Sequence, residues 1–147
     1  MIVKIKYDDP CCKIEQHGNW IDLKSLFTIT GTNHSYQEIP LGVSMTLPKW
    51  YKAEIKPRSS SYKKFGFIQV NSPAEIEHDY SDTWMLPVVF LESKIINKGD
   101  RICQFQIKLR EDAPWYMKIY DLFRGKFSFK EVQDIYTTRK GLGSTGK

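Results

Sequence analysis

Apolar and polar residues alternate with a period of two along most of this chain. Ile2, Lys4 and Lys6 oppose Val3, Ile5 and Tyr7, and the same alternation recurs over 39–47, 51–56, 66–70, 84–91 and 101–109. Successive side chains of a strand point to opposite faces, so such runs predict short, half-buried β-strands. Gly, Pro, Asn and Asp punctuate them, as turn residues do. Strands this short, with few helices between them, predict an all-β barrel or sandwich and exclude a parallel α/β sheet.

Two segments leave that period. After Pro57, a serine run and Tyr62-Lys63-Lys64-Phe65 predict one or two helical turns. Further on, Asp112 suits an N-cap, Pro114 a first helical turn and Gly125 a stop, which predicts a helix over 113–124. Trp115, Ile119, Leu122 and Phe123 fall on one face of that helix, suited to packing or to a protein partner. A strand is expected to resume over 127–135. At 147 residues the chain is predicted to form one domain, 1–147, with 136–147 as a C-terminal lid.

Composition narrows the function classes. Aromatic residues make up 14% and charged residues 27%, which fits a packed domain and not a disordered chain. The longest apolar run, 85–91, contains Pro87 and is far shorter than the ~20 residues a bilayer span requires, so no membrane role is expected. The alternating N-terminus lacks a signal-peptide core, and a cytoplasmic protein is expected. Three cysteines include the adjacent pair Cys11-Cys12 and are predicted to be reduced. His17, His34 and His78 lack ligand spacing, so zinc is not expected. The net charge of +5 is scattered among Asp and Glu, which argues against nucleic acid as a partner while favouring a small polyanion.

The chemistry is concentrated in five islands. The tail from Arg139 to Lys147 combines glycines, hydroxyls and cations around Leu142, a composition that closes over an anion better than it buries itself. Pro57-Arg58-Ser59-Ser60 gathers a guanidinium, hydroxyls and the first free N–H groups of a helix around one point. The segment 71–80 reads as a short hairpin carrying clustered carboxylates and a Tyr. Two more islands, Asn19-Trp20-Ile21-Asp22-Leu23 and Gly99-Asp100-Arg101-Ile102-Cys103-Gln104, frame these.

In this order and spacing the islands resemble the five motifs of the trimeric dUTPase family, in wording most similar to its phage and prophage branch. Asp22-Leu23, Pro57 to Ser60, Gly99 to Gln104, and Arg139 with Gly141 to Gly146 carry the likeness. The third motif departs from the family's Gly-x-Ile-Asp-x-x-Tyr-x-Gly: Ala74 and Asp82 replace its glycines and Glu77 stands in place of the water-activating Asp, while Tyr80 is retained. In the fifth motif Lys140 replaces a Gly, and Leu142 stands where most members have a uracil-stacking Phe.

The resemblance implies an all-β, jelly-roll-type barrel and a homotrimer that hydrolyses dUTP to dUMP and pyrophosphate. It implies phosphate contacts from Arg58, Ser59, Ser60 and Gln104, and a general base at Glu77. Asp22 would order the hydration shell of a Mg²⁺ held by the substrate's phosphates and by water. Asn71, Glu75, Ile76 and Met85 would line the base site, and Tyr80 would pack on the deoxyribose. Arg139, Leu142, Gly143, Ser144 and Thr145 would close over the bound nucleotide. Two other readings stay open. One is a nucleotide-binding module of the same fold that acts on a regulatory protein with little turnover, favoured by the altered third motif and the added helix. The other is a relative of the dCTP deaminases, whose catalytic Glu pattern is not evident in this chain.

Overall fold

The computed structural model describes residues 1–16 and 18–135. Among them, twelve strands and two α-helices follow one another as β1 (Ile2–Tyr7), β2 (Ile21–Lys24), β3 (Ile29–Gly31), β4 (Tyr36–Pro40), β5 (Val43–Thr46), β6 (Tyr51–Pro57), α1 (Ser61–Phe65), β7 (Phe67–Gln69), β8 (Ala74–Ile76), β9 (Met85–Phe90), β10 (Lys94–Ile96), β11 (Arg101–Leu109), α2 (Trp115–Phe123) and β12 (Ser128–Glu131). They form four sheets, ordered β12-β1-β5, β10-β3, β2-β11-β6-β8 and β4-β9-β7. All these pairs are antiparallel except β1 with β12. Among the described residues the ladders do not close into one continuous ring.

The predicted periods and the observed strands agree best over 103–109, where the alternation is unbroken, whereas Ile102 and Cys103 are both buried at a register shift. β11 spans the expected 101–109 and pairs with β6 over seven residues, from Cys103 opposite Pro57 to Leu109 opposite Tyr51. The expected run 39–47 divides in two at Gly42, whose φ of 64° lies in the left-handed region that only Gly enters without strain. A Cβ at Gly42 would also lie 2.5 Å from the Cys12 sulfur.

The core is apolar and aromatic. Val3, Ile5, Leu23, Ile39, Met45, Ile55, Leu86 and Phe105 are fully buried around Trp84, which meets Phe105 edge-on at 5.3 Å. Such aromatic pairs contribute about 0.5–1.5 kcal/mol beyond their burial. The central strand β6 has unlike faces: Tyr51, Ala53 and Ile55 enter this core, while Lys52, Glu54 and Lys56 form an ionic row on the other face. Glu54 pairs with Lys56 at 2.8 Å and Lys108 at 2.9 Å; Lys52 pairs with Glu75 at 2.8 Å and Glu111 at 2.9 Å. Glu54 and Lys52 are buried charges that survive because each meets two partners.

Two local expectations change. Asp112 does not cap α2; its carboxylate accepts two hydrogen bonds from Arg110, and Pro114 occupies the cap position without a side-chain bond. The segment 71–80 does not fold back on itself as a hairpin. Its strand β8 pairs with β6, with Ala74 opposite Ile55 and Ile76 opposite Ala53.

Candidate functional site

Strand β6 ends at Pro57, and the residues beside that end converge. Gln104 lies opposite Lys56 on one side and opposite Asp22 on the other, so three adjacent strands bring Asp22, Gln104 and Lys56 into one row. Arg58, just past the strand, places Nε 2.9 Å from Asp22 Oδ1, and Arg101 stands 3.6 Å from Asp22 Oδ2. The Gln104 amide donates to the Pro57 carbonyl at 3.4 Å. Ser59 is exposed, and Ser60 occupies the cap position of α1 with no side-chain cap bond.

Ser61 holds this corner together. Its Oγ accepts from the Arg58 N–H at 3.0 Å and donates to the Ile102 carbonyl at 2.7 Å, tying the Pro-Arg-Ser-Ser turn to β11. Arg58, Arg101 and Lys64, with Asn97 and Asp100, line a cavity of about 380 Å³. A second cavity, of about 370 Å³, lies on the other side of Arg58 and is lined mainly by Pro57, Tyr62, Phe67, Ile68 and Leu91. Cations clustered at a turn with free hydroxyls suit a phosphate-bearing ligand.

Glu75, Ile76, Glu77 and Tyr80 gather at the opposite end of β6. Arg110 Nη1 lies 3.4 Å from Glu77 Oε2 and 3.4 Å from His78 Nδ1, and Arg110 is itself held by Asp112 at 2.8–2.9 Å. The Tyr80 N–H donates to the Glu77 carbonyl at 3.2 Å, and its ring packs against the core. Burial, aided by Asp82 and Glu38, pushes the Tyr80 phenol above its ordinary pKa. Glu75 is committed to Lys52. Met85 opens β9 opposite Pro40, and Asn71, whose carbonyl accepts from Gln69 Nε2 at 2.7 Å, precedes β8 at the Arg58 end.

The two clusters are therefore separate within one chain. Arg58 lies five residues beyond Ala53, the partner of Ile76. At ~3.3 Å per residue, roughly 15–20 Å separate Glu77 from Arg58, beyond the reach of one side chain. Arg139, Leu142, Gly143, Ser144 and Thr145 lie outside the described residues. The sequence reading missed Ser61, Lys64, Arg101 and Arg110 as site neighbours. Arg101 sits inside a motif that could have named it, whereas no spacing marks Arg110.

Among the described residues no three His, Cys, Asp or Glu side chains are placed to hold a metal. Asp22 is occupied by two guanidinium groups, so a Mg²⁺ brought in on phosphate oxygens fits this donor set better than a protein-built cage. The three cysteines are free; burial pushes the Cys103 thiol up, and burial with the Cys11 contact raises Cys12 to about 12.

This architecture defines a jelly-roll-type β protein whose strand ends present charged turns. A dUTPase family profile matches residues 15–115, and the chain belongs to the dUTPase family. It is 39% identical, over 153 aligned positions spanning 99% of both chains, to the SPbeta prophage-derived deoxyuridine 5'-triphosphate nucleotidohydrolase of Bacillus subtilis (strain 168). The deoxyuridine 5'-triphosphate nucleotidohydrolase of Rickettsia prowazekii is 39% identical over 116 positions, covering 76% of this chain and 70% of that one. A mutant dUTPase from phage phi11 of S. aureus, described with a coordinated structural Mg(II) ion, superposes with a TM-score of 0.67 at 13% identity over 76% of this chain and 93% of that one. That likeness concerns the fold.

Proposed function

We propose that this chain hydrolyses dUTP to dUMP and pyrophosphate, and that each reaction centre joins the Arg58 end of one copy to the Glu77 end of another. The separation of those ends along β6 carries this reading, because attack on a phosphate needs base and phosphate ligands within a few ångströms of the reacting atoms. A homotrimer, each copy one domain over 1–147, would bring the ends together.

In that arrangement the Glu77 carboxylate takes a proton from water as its oxygen bonds to the α-phosphorus. The bond from that phosphorus to the bridging oxygen breaks, and pyrophosphate leaves with the bond's electron pair. Arg58, Ser59, Ser60 and Gln104 offset the charge that develops on the phosphate oxygens. A Mg²⁺ brought in on the substrate's phosphates and water would supply further charge neutralisation, and Asp22 would accept hydrogen bonds from its hydration shell. Asn71, Ile76, Met85 and the backbone of Glu75 would read the base, and Tyr80 would pack on the deoxyribose. Arg139, Leu142, Gly143, Ser144 and Thr145 would close over the triphosphate. Free thiols fit a cytoplasmic setting.

The altered third motif favours a second reading, nucleotide binding with little turnover, because Glu77 sets the carboxylate one methylene away from where the family's Asp holds it. Pyrophosphate release from dUTP, dCTP, dTTP and UTP with Mg²⁺ separates the two. Turnover of dUTP alone, lost in Glu77→Gln with binding retained, supports hydrolysis. Tight dUTP binding without turnover supports the second reading, and ammonia release from dCTP would overturn both.

A further inference from the structure

Helix α2 is built with its faces reversed. The side toward the protein carries Pro114, Met117, Asp121 and Arg124. Tyr51 Oη donates to Asp121 at 3.0 Å, Arg124 is hydrogen-bonded to Asp121, and the Arg124 guanidinium covers the Phe127 ring at 4.0 Å. The outward side carries Trp115, Tyr116, Ile119, Tyr120, Leu122 and Phe123, with Trp115 73%, Leu122 79% and Phe123 84% exposed, and no residue of the helix is buried. An amphipathic helix on a soluble domain normally turns its apolar stripe inward.

At roughly 150–250 Å² per aromatic residue, these fractions leave on the order of 700 Å² uncovered, above the ~300–600 Å² of the largest patch on a typical monomer and close to the ~800 Å² per partner of a stable interface. Position supplies the occupant. The helix begins five residues after Arg110, whose guanidinium touches Glu77, so the bare face flanks the end of β6 that a second copy must meet. The complementary end of the chain is also apolar: beside Arg58, the cavity of about 370 Å³ is walled by Pro57, Phe67 and Leu91 together with the exposed Tyr62 and Ile68. Donor and acceptor are thus different surfaces of one chain, as a head-to-tail contact requires, and such a contact forms a ring when its rotation closes.

We infer that the outward face of α2 docks on a second copy of this chain, against the apolar wall around Tyr62 and Ile68, and clamps the shared reaction centre. The inference rests on the composite-site reading above. Analytical ultracentrifugation over a dilution series, with dUTP turnover per chain on the same samples, tests it in wild type, Leu122→Glu/Phe123→Glu and Ile68→Glu. Acrylamide quenching of wild type against Trp115→Phe reports the shielding of Trp115 directly.

The expected result is a wild-type assembly in which Trp115 is shielded. Both charged variants should need at least tenfold higher chain concentration to assemble, with turnover falling over the same dilution range. Unchanged assembly in the helix variant, Trp115 quenched as freely as its exposure in a single chain allows, or a helix effect with no Ile68 effect would each overturn the inference. A protein other than this chain captured on α2 while self-assembly stays intact would overturn it as well. Shielded Trp115 with no dUTP turnover would leave the interface standing and remove the hydrolysis reading. Turnover with undisturbed assembly in both variants would do the reverse.

Discussion

One guanidinium governs where the carboxylate of Glu77 points. Arg110 is braced by the two hydrogen bonds it donates to Asp112 and reaches Glu77 at 3.4 Å, so the Glu77 side chain is restrained. Because a misplacement near 1 Å costs on the order of 10²-fold in rate, Arg110→Ala is expected to lower kcat by roughly tenfold to a hundredfold with KM for dUTP little changed, measurable in steady-state pyrophosphate release. Glu54 offers a stability counterpart. Lys56 first, then Lys108, hold its carboxyl below the ordinary glutamate range. A depressed native pKa stabilises the fold fully above the unfolded value of about 4.3, and that contribution disappears as pH falls through the lower native value. Glu54→Gln should therefore lower the urea-unfolding free energy by about 1–2 kcal/mol at pH 7 and by less near pH 3.

At the level of elements, the strands with unbroken alternation were legible from sequence, as in β11 from Cys103 onward. What the period could not show was where the chain turns inside a run. Gly42 splits 39–47 because a left-handed backbone there turns β4 into β5, and Gly42→Ala should cost about 1–3 kcal/mol, read from the urea midpoint. Nor could local pattern assign partners: 71–80 looked like a hairpin because its turn residues are local, whereas the edge of β6 that claims β8 is supplied by residues some twenty positions earlier. Likewise Pro114 and Gly125 marked the ends of a helix over 113–124, and helical spacing grouped its apolar residues. Which way that face points depends on Tyr51 and Arg124, which bind Asp121 from the other side.

Across the whole molecule, one apolar core includes Trp84 and Phe105, which meet edge-on and are both fully buried. Phe105→Ala should destabilise the fold by about 3–5 kcal/mol, seen as a lower midpoint in urea or heat. The candidate site was legible in residue identity, since Asp22, Arg58 and Gln104 come together as their motifs suggest. It was not legible in distance. Nothing in the order of motifs reveals that Glu77 and Arg58 lie beside opposite ends of β6, because that depends on the register of β8 against β6.

Under the proposed sharing of each reaction centre between copies, two broken chains would repair one another. A Glu77→Gln chain still offers an intact Arg58 end, and an Arg58→Ala chain still offers an intact Glu77 end. Dissociated, mixed in equal amounts and reassembled, two inactive preparations should regain activity at about a quarter of their pairings, where intact halves meet across a junction. Inheritance of function would then belong to the assembly and not to any single polypeptide.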